Sequence, residues 1–392
     1  MFLIAIIACF IAGHIQNDFV TPAFADIKNH FRVSPAVFHL ISSSFSAGLC
    51  IGGLVIGAVA DFFGYKKVLN LGLLLLIIAN LLNIYAPSLD ILILSRFCQG
   101  IGCSAPIIIC AAIIFEHCSK DESRQLVGLN NGVITYAKSL APIMGAYVND
   151  FGNWKLNFLL LSTLSALAFV LNIKFVPEDN KAQTHSSLKA TLSSIFRNYL
   201  FLLQDKKMIL YIFSLGFLAC SLITFTIGAP IIYIEHLSIS KSVYGFHQAV
   251  IWFVFGSCCI INRFLIKFFQ VIKLRNIAFI LVLIATLLLN IFYFRGFGEA
   301  KIFTACMALY AGAAGILITI MFADAMFLFQ EIKGTKSSLI ASCRAMFVAI
   351  AAGLAGYFFN GTLLPLIIII TCLTTLAVLS YYFIVKLQSK NY

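Results

Sequence analysis

Gly57-Ala58-Val59-Ala60-Asp61-Phe62-Phe63-Gly64-Tyr65-Lys66-Lys67-Val68-Leu69 is a short charged turn caught between two long apolar runs. Val37 to Ala60 holds one acidic or basic side chain, His39, and Val68 to Ser88 holds none. Each run is long enough to cross a bilayer, which takes about 20 residues at ~1.5 Å rise each. The stretch therefore reads as a tight loop between two transmembrane helices. Gly57 lets helices approach closely, and Gly64 allows a left-handed turn. Asp61 is placed to meet helix N-terminal amides or a nearby cation. Lys66 and Lys67 mark the cytoplasmic side.

Working outward, the rest of the chain has the same character. Of 392 residues, 61% are hydrophobic and 11% charged, where a soluble protein carries about 25% charged residues. No soluble core absorbs that much apolar surface, and the 38 Phe suit lipid-facing helices. The formal charge of +12 raises the question of nucleic acid, but its distribution answers it. Most Lys and Arg fall in loops and helix ends on one side, while Lys28, Arg32, Lys155, Lys241, Arg295 and Lys301 fall on the other. That is the positive-inside bias of a membrane protein, so no nucleic-acid partner is expected. The 12 cysteines lie almost all within apolar runs and form no C-x-x-C pair, which argues against a disulfide framework or a zinc site. Met1 to Ile11 lacks a basic lead and reads as a retained first helix rather than a cleaved signal peptide.

The hydropathy pattern predicts twelve helices, near 1–24, 36–60, 68–87, 91–117, 125–149, 155–177, 208–234, 242–268, 274–294, 300–328, 336–361 and 363–386. The fold class expected is an all-α membrane protein with twelve transmembrane helices in two six-helix bundles. Residues 1–177 form the N-terminal bundle, 178–207 a cytoplasmic linker and 208–392 the C-terminal bundle. Apolar residues at helical spacing between Leu188 and Leu203 predict a linker helix lying on the inner leaflet. Six plus six around one loop is a layout of secondary transporters. No phosphate-binding G-x-x-x-x-G-K-[ST] loop, catalytic triad or metal signature stands out. An enzyme is therefore not expected, and neither is a cofactor or a metal.

Polar residues inside the apolar runs are the candidates for chemistry. The first helix reads His14-Ile15-Gln16-Asn17-Asp18-Phe19-Val20-Thr21-Pro22-Ala23. His14 and Asp18 stand one turn apart on one face. An acid within a membrane helix is costly and marks function by default. Asp18 lies ~26 Å from the start of the helix, in its outer half. The fourth helix carries Leu94-Ser95-Arg96-Phe97-Cys98-Gln99-Gly100-Ile101-Gly102. Arg96 keeps its proton, so once buried it needs a carboxylate or a substrate anion. The fifth helix carries Ala137-Lys138-Ser139-Leu140-Ala141-Pro142-Ile143-Met144-Gly145-Ala146. Lys138, ~21 Å along from Arg124, either neutralises Asp18, receives an anionic substrate, or snorkels to the interface. In the second half, Tyr233, Gln248 and Trp252 either line a pocket or belong to lipid-facing and core surfaces. Asp324 and Arg344 lie at a similar inner depth, as an inner gate or a structural ion pair.

Three of these stretches resemble motifs of the major facilitator superfamily. The loop matches at Gly57, Asp61, Gly64, Lys66 and Leu69, with Phe62 and Tyr65 where the family usually has basic residues. The fourth helix matches at Arg96, Gln99, Gly100 and Gly102. The first helix, with Asp18 followed by Pro22 and Ala23, is similar to the Bcr/CflA-type drug–proton antiporters. Pro142 and Gly145 match the antiporter motif of the fifth helix, where Ala141 and Ala146 replace glycines. Phe10 stands where the multidrug facilitators carry a second acid, which speaks against lipophilic cations as cargo. The resemblance implies proton-coupled export of small organic compounds by alternating access, with H+ as coupling ion. In that reading Asp18 carries the proton, Arg96 modulates it, and Lys138 with His14 contacts substrate. Asn17 joins this proton and substrate group, while Gly57, Asp61, Gly64, Lys66, Pro142 and Gly145 serve conformational change. Lys138 and the missing acid also leave open an organic anion, such as a carboxylate siderophore or metabolite, moved in either direction. The expected setting is the bacterial inner membrane, with both termini cytoplasmic, a small-molecule substrate, lipid contacts and a monomeric protein.

Overall fold

The computed structural model describes residues 1–32, 35–151, 153–178, 197–230, 233, 237, 239, 241–295, 299–329, 332–357 and 364–389. These are helical almost throughout, with no strand among the described residues. The first elements are α1 (Phe2–His14), α2 (Gln16–Val20), a 3-10 turn (Thr21–Ala23) and α3 (Phe24–Phe31). Then come α4 (Pro35–Phe63), α5 (Tyr65–Tyr85), α6 (Leu89–His117), α7 (Lys120–Phe151) and α8 (Trp154–Phe175). The remainder comprises α9 (Lys206–Pro230), α10 (Lys241–Phe268), α11 (Val271–Phe294), α12 (Ala300–Met326), α13 (Lys333–Tyr357) and α14 (Leu364–Ser389).

Among the described residues nine helices are long and apolar enough to cross a membrane, and the bent pair Phe2–His14 with Gln16–Ala23 makes a tenth. Helices α7 and α13, with 32 and 25 residues, have the length but carry more charge. Lys120, Asp121, Glu122, Arg124 and Lys138 lie on α7, and Lys333, Lys336 and Arg344 on α13. With these two, the twelve predicted spans all have a helix. The lipid-facing sides are apolar: Leu71, Ile78, Ile277, Ile280 and Leu287 all stand exposed, as a bilayer permits and water does not.

Helix ends follow local chemistry. Gly64 has φ 95°, a backbone that side-chain-bearing residues rarely adopt, and it separates α4 from α5. Asn153 caps α8 by accepting the amide of Lys155 at 2.9 Å, and Asp205 caps α9 through the amide of Met208 at 2.7 Å. At the start of α7, Ser119 and Glu122 form a reciprocal capping box. The Ser119 hydroxyl and amide hold the Glu122 carboxyl below its usual range.

The first helix departs from expectation. Instead of one helix over 1–24, α1 and the segment Gln16–Ala23 meet at a 50° bend. The Gln16 side chain donates to the carbonyl of Ala12 at 2.7 Å, competing for the acceptor that the helix ladder uses there. Pro22 then has no N–H to return to the carbonyl of Asp18. His14 and Asp18 therefore fall on different sides of the bend. Of the linker helix expected between Leu188 and Leu203, 188–196 lies outside the described residues, and 197–204 is helical.

The chain forms two compact units. The first comprises Met1–Cys118, Tyr136–Tyr199 and Phe329–Ser342, and the second Ser119–Thr135, Leu200–Leu328 and Cys343–Tyr392. Compactness thus divides α7 and α13 within their length, whereas the sequence expectation divides the chain at the central linker. In the first unit α6 is the central helix, with 78% of its apolar window buried against 39% for α8. Helices α4 and α5 pack on it closely because α6 offers small residues: a side chain at Gly100 would stand 2.1 Å from the carbonyl oxygen of Phe45. In the second unit α12 has the same role, also 78% buried, with Gly312 and Gly315 against α10.

Candidate functional site

In the first unit the bend after α1 turns Gln16 and Asn17 toward α5 and α6, where a buried polar network forms. Arg96 of α6 is fully buried. Its guanidinium donates to Gln99 Oε1 at 2.7 Å and to Asn17 Oδ1 at 2.8 Å, and lies 4.8 Å from the centre of the Phe45 ring. A guanidinium only donates, so both amide oxygens face it. That orients Gln99, whose Nε2 donates to Gln16 Oε1 at 2.6 Å and Asn80 Oδ1 at 2.9 Å. Asn83 donates to the same Gln99 oxygen at 3.3 Å and accepts from Ser95 at 2.5 Å. Gln16 reaches Ser165 of α8 at 3.4 Å. Gln99 thereby uses both donors and both acceptor lone pairs, which suits an amide sealed from water.

Asp18, the next residue after Asn17, pairs with Lys138 of α7 at 3.4 Å. The two side chains are 32% and 48% exposed, whereas Arg96 beside them is fully buried. Helix α7 comes close enough because Gly145 packs on the Asp18 segment: a Cβ there would sit 1.9 Å from the carbonyl oxygen of Phe19. Pro142 has no N–H for the carbonyl of Lys138 one turn earlier, which loosens the helix at the lysine. His14, before the bend, bonds through Nδ1 to the Phe10 carbonyl at 2.9 Å and stacks on the Phe10 ring. Asp18, Asn17, Arg96, Lys138 and Gly145 are thus brought together.

The signature loop of the same unit grips the start of α13. Asp61 accepts the amides of Gly334 at 2.9 Å and Thr335 at 2.7 Å, and the Thr335 hydroxyl at 2.5 Å. Tyr65, where the family has a basic residue, donates its hydroxyl to Asp61 at 2.7 Å. The Gly57 amide donates to Ser338 Oγ at 3.1 Å, and a Cβ on Gly57 would sit 2.1 Å from the Gly334 carbonyl oxygen. Lys66 donates to the carbonyl of Ile173 at 3.0 Å. Lys333 bonds to Glu116 and to the carbonyl of Phe115, each at 2.8 Å.

The second unit holds the other expected residues. Asp324 takes Arg124 on one carboxylate oxygen and Arg275, at 2.9 Å, on the other. Sequence suggested Arg344 as its partner; the carboxylate is instead filled by two arginines from the starts of α7 and α11. Arg275 also bonds to the Tyr381 hydroxyl at 3.1 Å. Arg344 neighbours Cys220. Tyr233 is buried and bonds to Thr304 at 2.7 Å, and Thr304 to His247 at 2.8 Å. Trp252 packs edge-on against Phe255, and Gln248 lies one turn beyond Tyr244 on α10.

Sequence reasoning missed Gln16, Asn80, Asn83, Gln99, Thr304 and His247 as site members. Asn80 and Asn83 were legible in principle as neutral amides at helical spacing inside an otherwise apolar run. For Arg124 and Arg275 no local signal singles out Asp324.

Comparison with known proteins agrees with this geometry. Residues 2–353 match the Major Facilitator Superfamily. The chain is 28% identical over 381 residues to a bicyclomycin resistance protein homolog of Haemophilus influenzae, covering 95% of this chain and 93% of that one. It is 25% identical over 248 residues to the chloramphenicol resistance protein CraA of Acinetobacter baumannii, covering 63% and 59%. It is 26% identical over 241 residues to the multidrug transporter MdfA of Edwardsiella ictaluri, covering 62% and 58%. Among solved structures, the human organic anion transporter MFSD10 aligns with a TM-score of 0.76 at 14% identity, covering 98% of both chains. The proton:xylose symporter XylE aligns with a TM-score of 0.75 at 13% identity, covering 98% of this chain and 95% of that one. This chain is a multi-pass membrane transporter rather than an enzyme, and it belongs to the Major Facilitator Superfamily.

Proposed function

We propose that the protein exports small organic compounds in exchange for protons by alternating access. The observation that carries this reading is the partly exposed Asp18–Lys138 pair at 3.4 Å, set beside the buried Arg96–Asn17–Gln99 network. An aspartate in that position is neutralised by a lysine, by a proton or by a cationic or hydrogen-bonding substrate, and these compete. Proton release on one side and uptake on the other then drive the cargo. Arg96 is held beside Asp18 through Asn17, the residue before Asp18 in the chain. His14 and Lys138 contact the substrate, and no cofactor other than H+ takes part. The similarity to resistance proteins and multidrug transporters supports an organic, drug-like cargo.

The test is reconstitution in liposomes with an imposed pH gradient. Asp18→Asn folds and inserts but loses gradient-driven transport. Full gradient-driven transport by this variant removes Asp18 from the mechanism.

A second reading keeps the fold and changes the cargo to an organic anion. It is favoured by the Lys138 side chain, which is 48% exposed despite its partner and so open to a carboxylate. In either reading the protein is a monomer of the bacterial inner membrane, with both termini and the central linker cytoplasmic by the positive-inside bias. Reporter fusions at the C-terminus and in the linker test that orientation, and a periplasmic signal from either overturns it.

A further inference from the structure

At one end of the second unit, α9 and α14 pack side by side and flank an open groove of about 390 Å³. Its floor and walls are Ile209, Leu210, Phe383 and Leu387, and its rim carries Lys206 and Lys386. Lys206 is the first residue of α9 and Lys386 lies in the last turn of α14, so both ammonium groups sit where these spans leave the bilayer. Lys207 adds a third positive charge next to Lys206. Phe383 is 48% exposed and Leu387 half-buried, so the apolar walls open to the lipid side rather than to the core. Just before α9, Leu200, Phe201 and Leu203 are also exposed and add apolar surface at the start of this helix.

We infer that this groove is a binding site for one anionic diacyl phospholipid, with the phosphate between Lys206 and Lys386 and an acyl chain along Leu210, Phe383 and Leu387. Two features select that ligand. A zwitterionic lipid brings a positive headgroup to two lysines, whereas an anionic one brings only negative charge. A soluble anion leaves the apolar walls uncovered, whereas a lipid covers them. Basic pockets between helices on the cytoplasmic side take acidic headgroups for the same reasons. The choice of inner leaflet rests on the proposed cytoplasmic orientation of the termini. Binding in detergent reads the site whatever the orientation, and the reporter fusions read the orientation alone.

The experiment uses the full-length protein, purified and delipidated in detergent. Phosphatidylglycerol, phosphatidylcholine with the same acyl chains, and inorganic phosphate serve as probes. Native mass spectrometry reads bound lipid, and thermal unfolding reads stabilisation by mass action. The expected result is one tightly held phosphatidylglycerol that raises the melting temperature more than phosphatidylcholine does. Lys206→Gln with Lys386→Gln weakens phosphatidylglycerol roughly tenfold or more, since each lysine near an anionic surface contributes on the order of a fivefold factor. Lys206→Arg with Lys386→Arg keeps the affinity. Equal binding of the two lipids by the wild type overturns the inference, as does an unchanged phosphatidylglycerol affinity in the Gln variant. Full stabilisation by inorganic phosphate alone also overturns it, because the site is then an ion site and the apolar groove is idle.

Discussion

Asp61 caps the helix that begins near Thr335: one carboxylate oxygen accepts both the backbone amide and the hydroxyl of that residue, at 2.7 and 2.5 Å. The residues stand 274 positions apart in the chain, so this is a tertiary cap and not a local one. The first amides of a helix have no partner within it, and the helix dipole adds a positive field there. A carboxylate answers both at once. Asp61→Ala is expected to cost about 1–2 kcal/mol. Asp61→Asn costs less, because it keeps an acceptor and loses only the charge. Thermal unfolding in detergent ranks the two, and equal melting temperatures for Asp61→Ala and wild type refute the cap.

Asp324 is the hub of a buried ionic triad with Arg124 and Arg275, whose side chains are 9% and 4% exposed. Among the described residues, removing the acid leaves buried Arg275 with no carboxylate, only the Tyr381 hydroxyl at 3.1 Å, and leaves Arg124 only Asp121 at 2.9 Å. Asp324→Ala is therefore expected to destabilise by about 3–5 kcal/mol. Combining it with Arg275→Met recovers part of the loss. Arg344→Met is the control and has a smaller effect, since Arg344 is not in the triad. A larger loss for Arg344→Met than for Asp324→Ala, read as yield and melting temperature, overturns the assignment.

Gly145 decides how near α7 comes to the acid. Its missing Cβ would stand 1.9 Å from the Phe19 carbonyl oxygen, a distance that backbone cannot tolerate. Gly145→Ala pushes α7 from the Asp18 segment and costs about 1–3 kcal/mol of packing. It is also expected to lower transport more than it lowers the melting temperature, because the 3.4 Å pair between Asp18 and Lys138 spans that contact. Wild-type transport with a lowered melting temperature means the approach serves packing only.

The fold was legible because bilayer length and apolar composition leave little choice. The runs on either side of Asp61 each had to be a helix, and Gly64 had to be the break. The bend at Ile15 was not legible. It depends on Gln16 spending its side chain on a carbonyl of its own helix, and glutamine is equally at home pointing outward. The amides Asn80 and Asn83 carry no charge, so within an apolar run they read as tolerated rather than as partners of Gln99. The partners of Asp324 were hidden for another reason. Arg124 and Arg275 lie near the starts of α7 and α11, whereas Arg344 lies well inside α13, and the lateral arrangement of helices that brings the first two to Asp324 is not written in any local motif.

The role of Lys138 decides between the two cargoes. Asp18 and Lys138 are in contact, so their effects on a shared function are expected to be non-additive. If Lys138 only neutralises Asp18, Lys138→Ala leaves the acid unpaired, and the pH profile of transport shifts without a change in substrate charge preference. In the Asp18→Asn background Lys138→Ala then causes no further shift, because the titrating group is already gone. If Lys138 instead receives a carboxylate, Lys138→Ala weakens anion binding while Lys138→Arg keeps part of it. The losses from Lys138→Ala and Asp18→Asn are then additive in binding. Binding of matched organic cations and anions to the four proteins of this cycle, together with transport at several pH values, reads both outcomes. A coupled pair with unchanged charge preference supports proton-driven export. Additive losses with anion preference abolished in Lys138→Ala support the organic anion. Wild-type binding and pH profile in Lys138→Ala make the 3.4 Å contact incidental and remove the lysine from both readings.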